Sequence, residues 1–120
     1  MKSKIDLDAV VEEAKNAPGI DVTKLQPGTE IMVSTAKSVY QIKVIDQIKN
    51  QIEIVGGKHA PAPVLATFIG STHGGSIIRN GWIGRGLCLE VRLPKNLMLT
   101  TSPVTEAKVI GDGWHYDMGW

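Results

Sequence analysis

The chain has 120 residues, 42% apolar and 21% charged side chains, and a formal net charge of +1. That length suits one domain with one core. The balance excludes disorder, which needs low hydrophobicity and high net charge, and it excludes a global field that would draw the protein onto nucleic acid or anionic lipid. No run approaches the roughly 18 uncharged apolar residues that cross a bilayer, and residues 1–16 lack the apolar centre of a secretory signal. The expectation is a cytoplasmic protein with no membrane partner.

Residues 6–16 read as a short helix. Asp6 supplies a cap and Asp8 lies in the first turn, where a carboxylate opposes the helix dipole. Leu7, Val10, Val11 and Ala14 form one apolar stripe, and Pro18 and Gly19 end it. Residues 18–28 link this helix to the rest. After the turn signal Gln26-Pro27-Gly28 the pattern turns to β. Segments 30–35 and 39–45 are rich in Val and Ile, with Tyr40, Ile42 and Val44 nearly alternating with polar neighbours. A polar turn at 46–50 leads into a strand at 52–55, which ends at Gly56-Gly57. Pro61 and Pro63 exclude a central strand over 58–63. Further strands are predicted at 64–71, 87–93, 96–101 and 105–110, the middle pair joined at Pro94-Lys95.

Short strands with turn signals about every ten residues predict a mainly β fold, a small antiparallel β-barrel or roll, SH3-like or related, with the short N-terminal helix against one end. The whole chain, 1–120, reads as one domain: helix 6–16, β-barrel 29–110 and an aromatic C-terminal tail 111–120. Cys88, the single cysteine, lies in the apolar run 87–91 and reads as a small buried hydrophobe.

Segment 70–86, GSTHGGSIIRNGWIGRG, stands apart, with Gly70, Gly74, Gly75, Gly81, Gly84 and Gly86 among its residues. Ser71, His73 and Ser76 add polar groups, Arg79 and Arg85 fixed positive charge, and Trp82 a flat apolar surface. Over 70–95, Arg79, Arg85, Arg92 and Lys95 face only Glu90, which concentrates charge locally. One reading is a protein-interaction surface with Trp82 as anchor and arginine as polar partner. A second is a small-anion site in which glycine-rich backbone N–H groups form a nest. A third is nucleic-acid binding, with Trp82 stacking a base. The same glycines also suit bulges and corners of a barrel, with Ile77, Ile78, Trp82 and Ile83 in the core and the arginines at the rim.

Catalytic chemistry has little support. His59, His73 and His115 lack zinc spacings, no Gly-x-Ser-x-Gly elbow occurs, and neither the P-loop nor the dinucleotide fingerprint is present. No catalytic residue, cofactor or metal is assigned. The tail packs Trp114, Tyr116 and Trp120 into ten residues, which suggests docking on the domain's own surface, on a partner or on a second copy in a homo-oligomer.

Gly-Ser-Thr-x-Gly-Gly-Ser from Gly70, Gly-Trp-Ile-Gly-x-Gly from Gly81 and Thr-Thr-Ser-Pro-Val from Thr100 together resemble a family of small, uncharacterised, β-rich bacterial proteins. The likeness extends loosely over 25–109. It implies a bacterial-type cytosolic protein and carries no activity, substrate, cofactor or catalytic residue across. The family has an aromatic residue where this chain has His73, which weighs against chemistry there. The leading expectation is a non-catalytic binding or protein-interaction domain with contacts at Arg79, Trp82 and Arg85. A small-anion ligand-binding protein or enzyme using Ser71, His73, Ser76 and Arg79, or a nucleic-acid binder, is the alternative.

Overall fold

The computed structural model describes residues 19–73 and 76–111. These form β1 (Gly19–Asp21), a 3-10 turn (Val22–Lys24), β2 (Glu30–Thr35), β3 (Val39–Asp46), β4 (Gln51–Gly56), β5 (Ala60–His73), β6 (Ser76–Asn80), β7 (Trp82–Gly84), β8 (Cys88–Leu93), a second 3-10 turn (Pro94–Asn96), β9 (Leu97–Thr100) and β10 (Val104–Gly111). The mainly β expectation holds. The predicted helix over 6–16 and the tail from residue 112 lie outside the described residues.

Alternation explains the central meander. In β3, Tyr40, Ile42 and Val44 are buried while Val39, Gln41 and Lys43 face solvent, so one face is apolar and the other wet. Local turn chemistry fixes the register at both ends. Between β2 and β3 the Thr35 hydroxyl accepts from the Ser38 N–H at 3.1 Å. Between β3 and β4 the Asp46 carboxylate accepts from the N–H groups of Ile48 and Lys49 at 3.0 and 3.2 Å, an Asx-type turn.

The strands run antiparallel in the order β10-β2-β3-β4-β5-β8-β9, with β6 on β5, and β1 pairs with β7 as a separate ribbon. The core lies on one face of the large sheet. Ile31, Val33, Ile42, Val44, Ile52, Ile54, Phe68, Leu89 and Val91 come from the sheet, Ile83 comes from the ribbon and Val22 from the 3-10 turn that follows β1. Residues 18–28 are expected to be a link, but the described part, 19–28, contributes a strand and a fully buried valine.

The expected closed barrel does not form: the sheet stays open. Its two ends do approach. The Gly86 N–H donates to the Val104 carbonyl at 2.8 Å and the Val104 N–H to the Leu87 carbonyl at 2.9 Å, so the sheet curls until β8 and β10 meet at Val104. The contact stops there. A bulge follows between Val104 and Glu106 and turns β10 away before a ladder can build.

Pro61 and Pro63 do lie inside β5, which passes between β4 and β8. The rule behind the expectation nonetheless holds locally. β8 joins β5 only from Thr67 onward, so over the proline stretch β5 is an edge. The Phe68 N–H donates to Asn50 on the β4 side at 2.8 Å. By alternation Ala66 and Val64 also face β4, while Pro63 and Leu65 turn to the open side. The missing proline N–H removes no ladder bond.

Candidate functional site

Segment 70–86 folds as the end of β5, the β6 hairpin arm and β7, and the Ser71 hydroxyl and the Arg79 guanidinium are engaged inside the protein. Ser71 is completely buried. Its hydroxyl donates to the Trp82 carbonyl and accepts from the Gly84 N–H at 3.0 Å. One side chain thus clips three-residue β7 to β5, a service that no ladder performs. Gly70, Gly81 and Gly86 have φ of 149, 69 and 86°, which makes them the corners of this path. The corner reading of the glycines is met at these positions. Ile83 is core, but Ile77 is exposed.

Trp82 sits in a slot rather than on a free surface. The Arg79 guanidinium lies over its ring, 4.0 Å from the centroid. A Cβ on Gly19 would collide with the indole, and one on Gly84 would come within 2.9 Å of its Nε1. The indole N–H is buried and makes no hydrogen bond. Arg79 also faces Asp21, the register partner of Trp82, at 3.9 Å, with 39% and 23% of the two side chains exposed. The Asp21–Arg79–Trp82 stack holds β1 to the β6–β7 corner. At this exposure the ion pair is worth at most about 1 kcal/mol, and the cation–π contact adds about as much.

The remaining predicted residues separate. His73 and Ser76 face each other across the β5–β6 hairpin and line neither cleft described below. Arg85 is exposed beside a cleft of about 400 Å³ whose walls include Ile83, Val104, Thr105, Glu106 and Ala107. The structure thus brings Ser71, Arg79 and Trp82 together as a support, leaves Arg85 at a cleft, and places His73 and Ser76 elsewhere.

A second cleft, of about 230 Å³, combines Leu65, Thr67, Arg92, Lys95 and Asn96, and no carboxylate lines it. Its cations belong to the stretch whose excess charge was visible in the sequence. Its apolar partners were not. Leu97 and Met98 of β9 are 61% and 47% exposed, and β9 ends the strand order with no ladder on its outer side among the described residues. The Thr101 N–H donates to the Leu89 carbonyl at 2.9 Å, so alternation directs the backbone groups of Met98 and Thr100 outward. Lys95 and Asn96 take φ of 65 and 61°, which reverses the chain between β8 and β9 next to this cleft.

Cys88 is half-buried rather than core. Its neighbours Leu87 and Leu89 are the buried ones, so alternation puts the thiol on the opposite face. Burial pushes its pKa up, which disfavours the nucleophilic thiolate. Among the described residues no three His, Cys, Asp or Glu side chains are grouped to hold a metal, and no helix is long and apolar enough to cross a membrane.

No family model, no curated protein and no solved structure matches the chain.

Proposed function

We propose that this is a non-catalytic protein-interaction domain that receives an extended partner segment along β9, with acidic and apolar side chains set over Arg92, Lys95, Leu97 and Met98. The free edge of β9 carries this reading. It offers backbone donors and acceptors at Met98 and Thr100, exposed apolar side chains, and an adjoining cleft with two cations and no carboxylate. Strand addition takes affinity from the main chain and specificity from alternate side chains, and opposite charge steers the partner to the edge. Arg79 and Trp82 serve here as internal support, and Arg85 remains a contact at the other cleft. An SH3-like mode of action, through edges and connections of a small roll, and the bacterial-type cytosolic setting belong to the same proposal.

A fluorescein-labelled peptide of alternating Glu and Val tests it. Binding should weaken with added salt and fall about tenfold in Arg92→Glu/Lys95→Glu, since each rim charge contributes up to about 1 kcal/mol. Equal binding by the double variant, or none by the parent, rejects the reading. Inorganic phosphate and a short RNA in the same titration test the small-anion and nucleic-acid alternatives. An RNA affinity that falls steeply with salt would put nucleic acid first.

A further inference from the structure

β10 borders the larger cleft with part of its backbone unused. Ala107 lies opposite Val33 and Val109 opposite Ile31. In β2 the Thr35 N–H donates to Ser38 on the β3 side at 2.8 Å. By alternation Val33 and Ile31 also turn their backbone groups to β3, so these two pairs exchange no bonds with β10. The N–H and C=O groups of Ala107 and Val109 therefore point away from the sheet, where no ladder forms among the described residues. Ile31 and Val33 are fully buried, which puts the side chains of Ala107 and Val109 on the core face. Val109 is nevertheless 46% exposed.

The cleft of about 400 Å³ lies beside this edge, with Thr105, Glu106 and Ala107 on one wall and Gly19, Ile83 and Arg85 on the other. It is closed at one end. There the Val104 backbone is taken up by Gly86 and Leu87 at 2.8 and 2.9 Å, so a strand added to β10 cannot pass Val104. Arg85 stands at that closed end and is exposed. Among the described residues it pairs with no carboxylate, and the acidic wall residue, Glu106, lies 3.9 Å from Lys108. Next to Arg85, a Cβ on Gly86 would meet nothing within 4 Å, so there is room for a ligand group. An open edge suits an extended chain, a dead end requires that the chain stop, and a cation favours negative charge where it stops. A carboxyl terminus meets all three conditions. An acidic segment from the middle of a chain fails the second.

We infer that this groove binds the carboxyl terminus of a partner protein, its last residues running antiparallel to β10 on the backbone of Ala107 and Val109 and its terminal carboxylate resting on Arg85. The five residues 105–109 span about 16 Å at about 3.3 Å each, enough for a chain end of about five residues. Every second partner side chain falls on the core face beside Ile83, Val104 and Val109, which selects apolar residues there. The groove shares no residue with the cleft at β9, so the inference is independent of the reading made there.

Fluorescence polarisation with labelled peptides ending in Val-Thr-Val and Leu-Ser-Leu tests it. The free-acid peptides should bind, and the same peptides with an amidated terminus should bind about tenfold more weakly, as should the free acids to Arg85→Gln. The amides should not distinguish Arg85→Gln from the parent. Arg92→Glu/Lys95→Glu should leave this binding unchanged, which separates the groove from β9. Ala107→Pro removes only an outward N–H and should cost about fivefold, the equivalent of one hydrogen bond. Peptides N-methylated at alternate positions remove the backbone contact from the partner's side and leave the fold untouched. No binding of either free acid to the parent, equal binding of acid and amide, or indifference of the free acids to Arg85→Gln overturns the inference. Equal binding of an amidated peptide with an internal Glu also overturns it, in favour of a general acidic segment.

Discussion

The β2–β3–β4 meander and the β1–β7 ribbon pack on the same core, yet they are held in different ways. In the meander each strand has six to eight residues, each turn is closed by its own side chain, and burial is shared among many aliphatic groups. The ribbon has three residues per strand and depends on single atoms: the Ser71 hydroxyl, the clearance at Gly19 and the Arg79 guanidinium over Trp82. Distributed packing tolerates local change, whereas a few-point attachment fails at each point separately.

Three substitutions break or sharpen this contrast. Ile42→Ala in the meander has the largest expected effect, about 2–5 kcal/mol, from lost burial and a residual cavity. A urea titration should show it as a lower midpoint with an unchanged slope, because the sheet unfolds as a unit. Ser71→Ala comes next. It strands the buried Trp82 carbonyl and Gly84 N–H, at about 1–3 kcal/mol. Here hydrogen exchange is the discriminating measurement: the Gly84 amide should lose protection while the β3 amides keep most of theirs. Uniform loss across both regions would show that the ribbon is not a separate unit. Arg79→Ala has the smallest effect, about 0.5–1 kcal/mol in thermal unfolding, with a change in Trp82 emission. A loss several times larger would mean that the stack carries the ribbon rather than steadies it.

Legibility follows the same division. β2, β3, β4, β8, β9 and β10 were readable to within a residue or two at most ends, because period-two apolar patterning and turn residues are local signals. β1, β6 and β7 were not. Their residues are glycine-rich or few, and their partners lie far along the chain, as in the pairing of Ile20 with Ile83. Closure was misjudged for a related reason. Whether β10 meets β8 depends on a bulge after Val104, which no local pattern announces. At the site, charge was legible and availability was not. Arg79, Trp82 and Ser71 have the chemistry of contact residues, but their partners Asp21 and Gly84 are visible only in space. Leu97 and Met98 were read simply as part of a strand, since nothing local marks a strand as terminal.

Pro63 in β5 also limits how such molecules can add to one another. It turns its ring, without a donor, to the one stretch of β5 that β8 leaves uncovered, so a foreign strand finds no regular ladder in the middle of the sheet. Among the described residues the two ends of the large sheet's strand order, β9 and β10, each lack a ladder on one side, as does β6, which pairs only with β5.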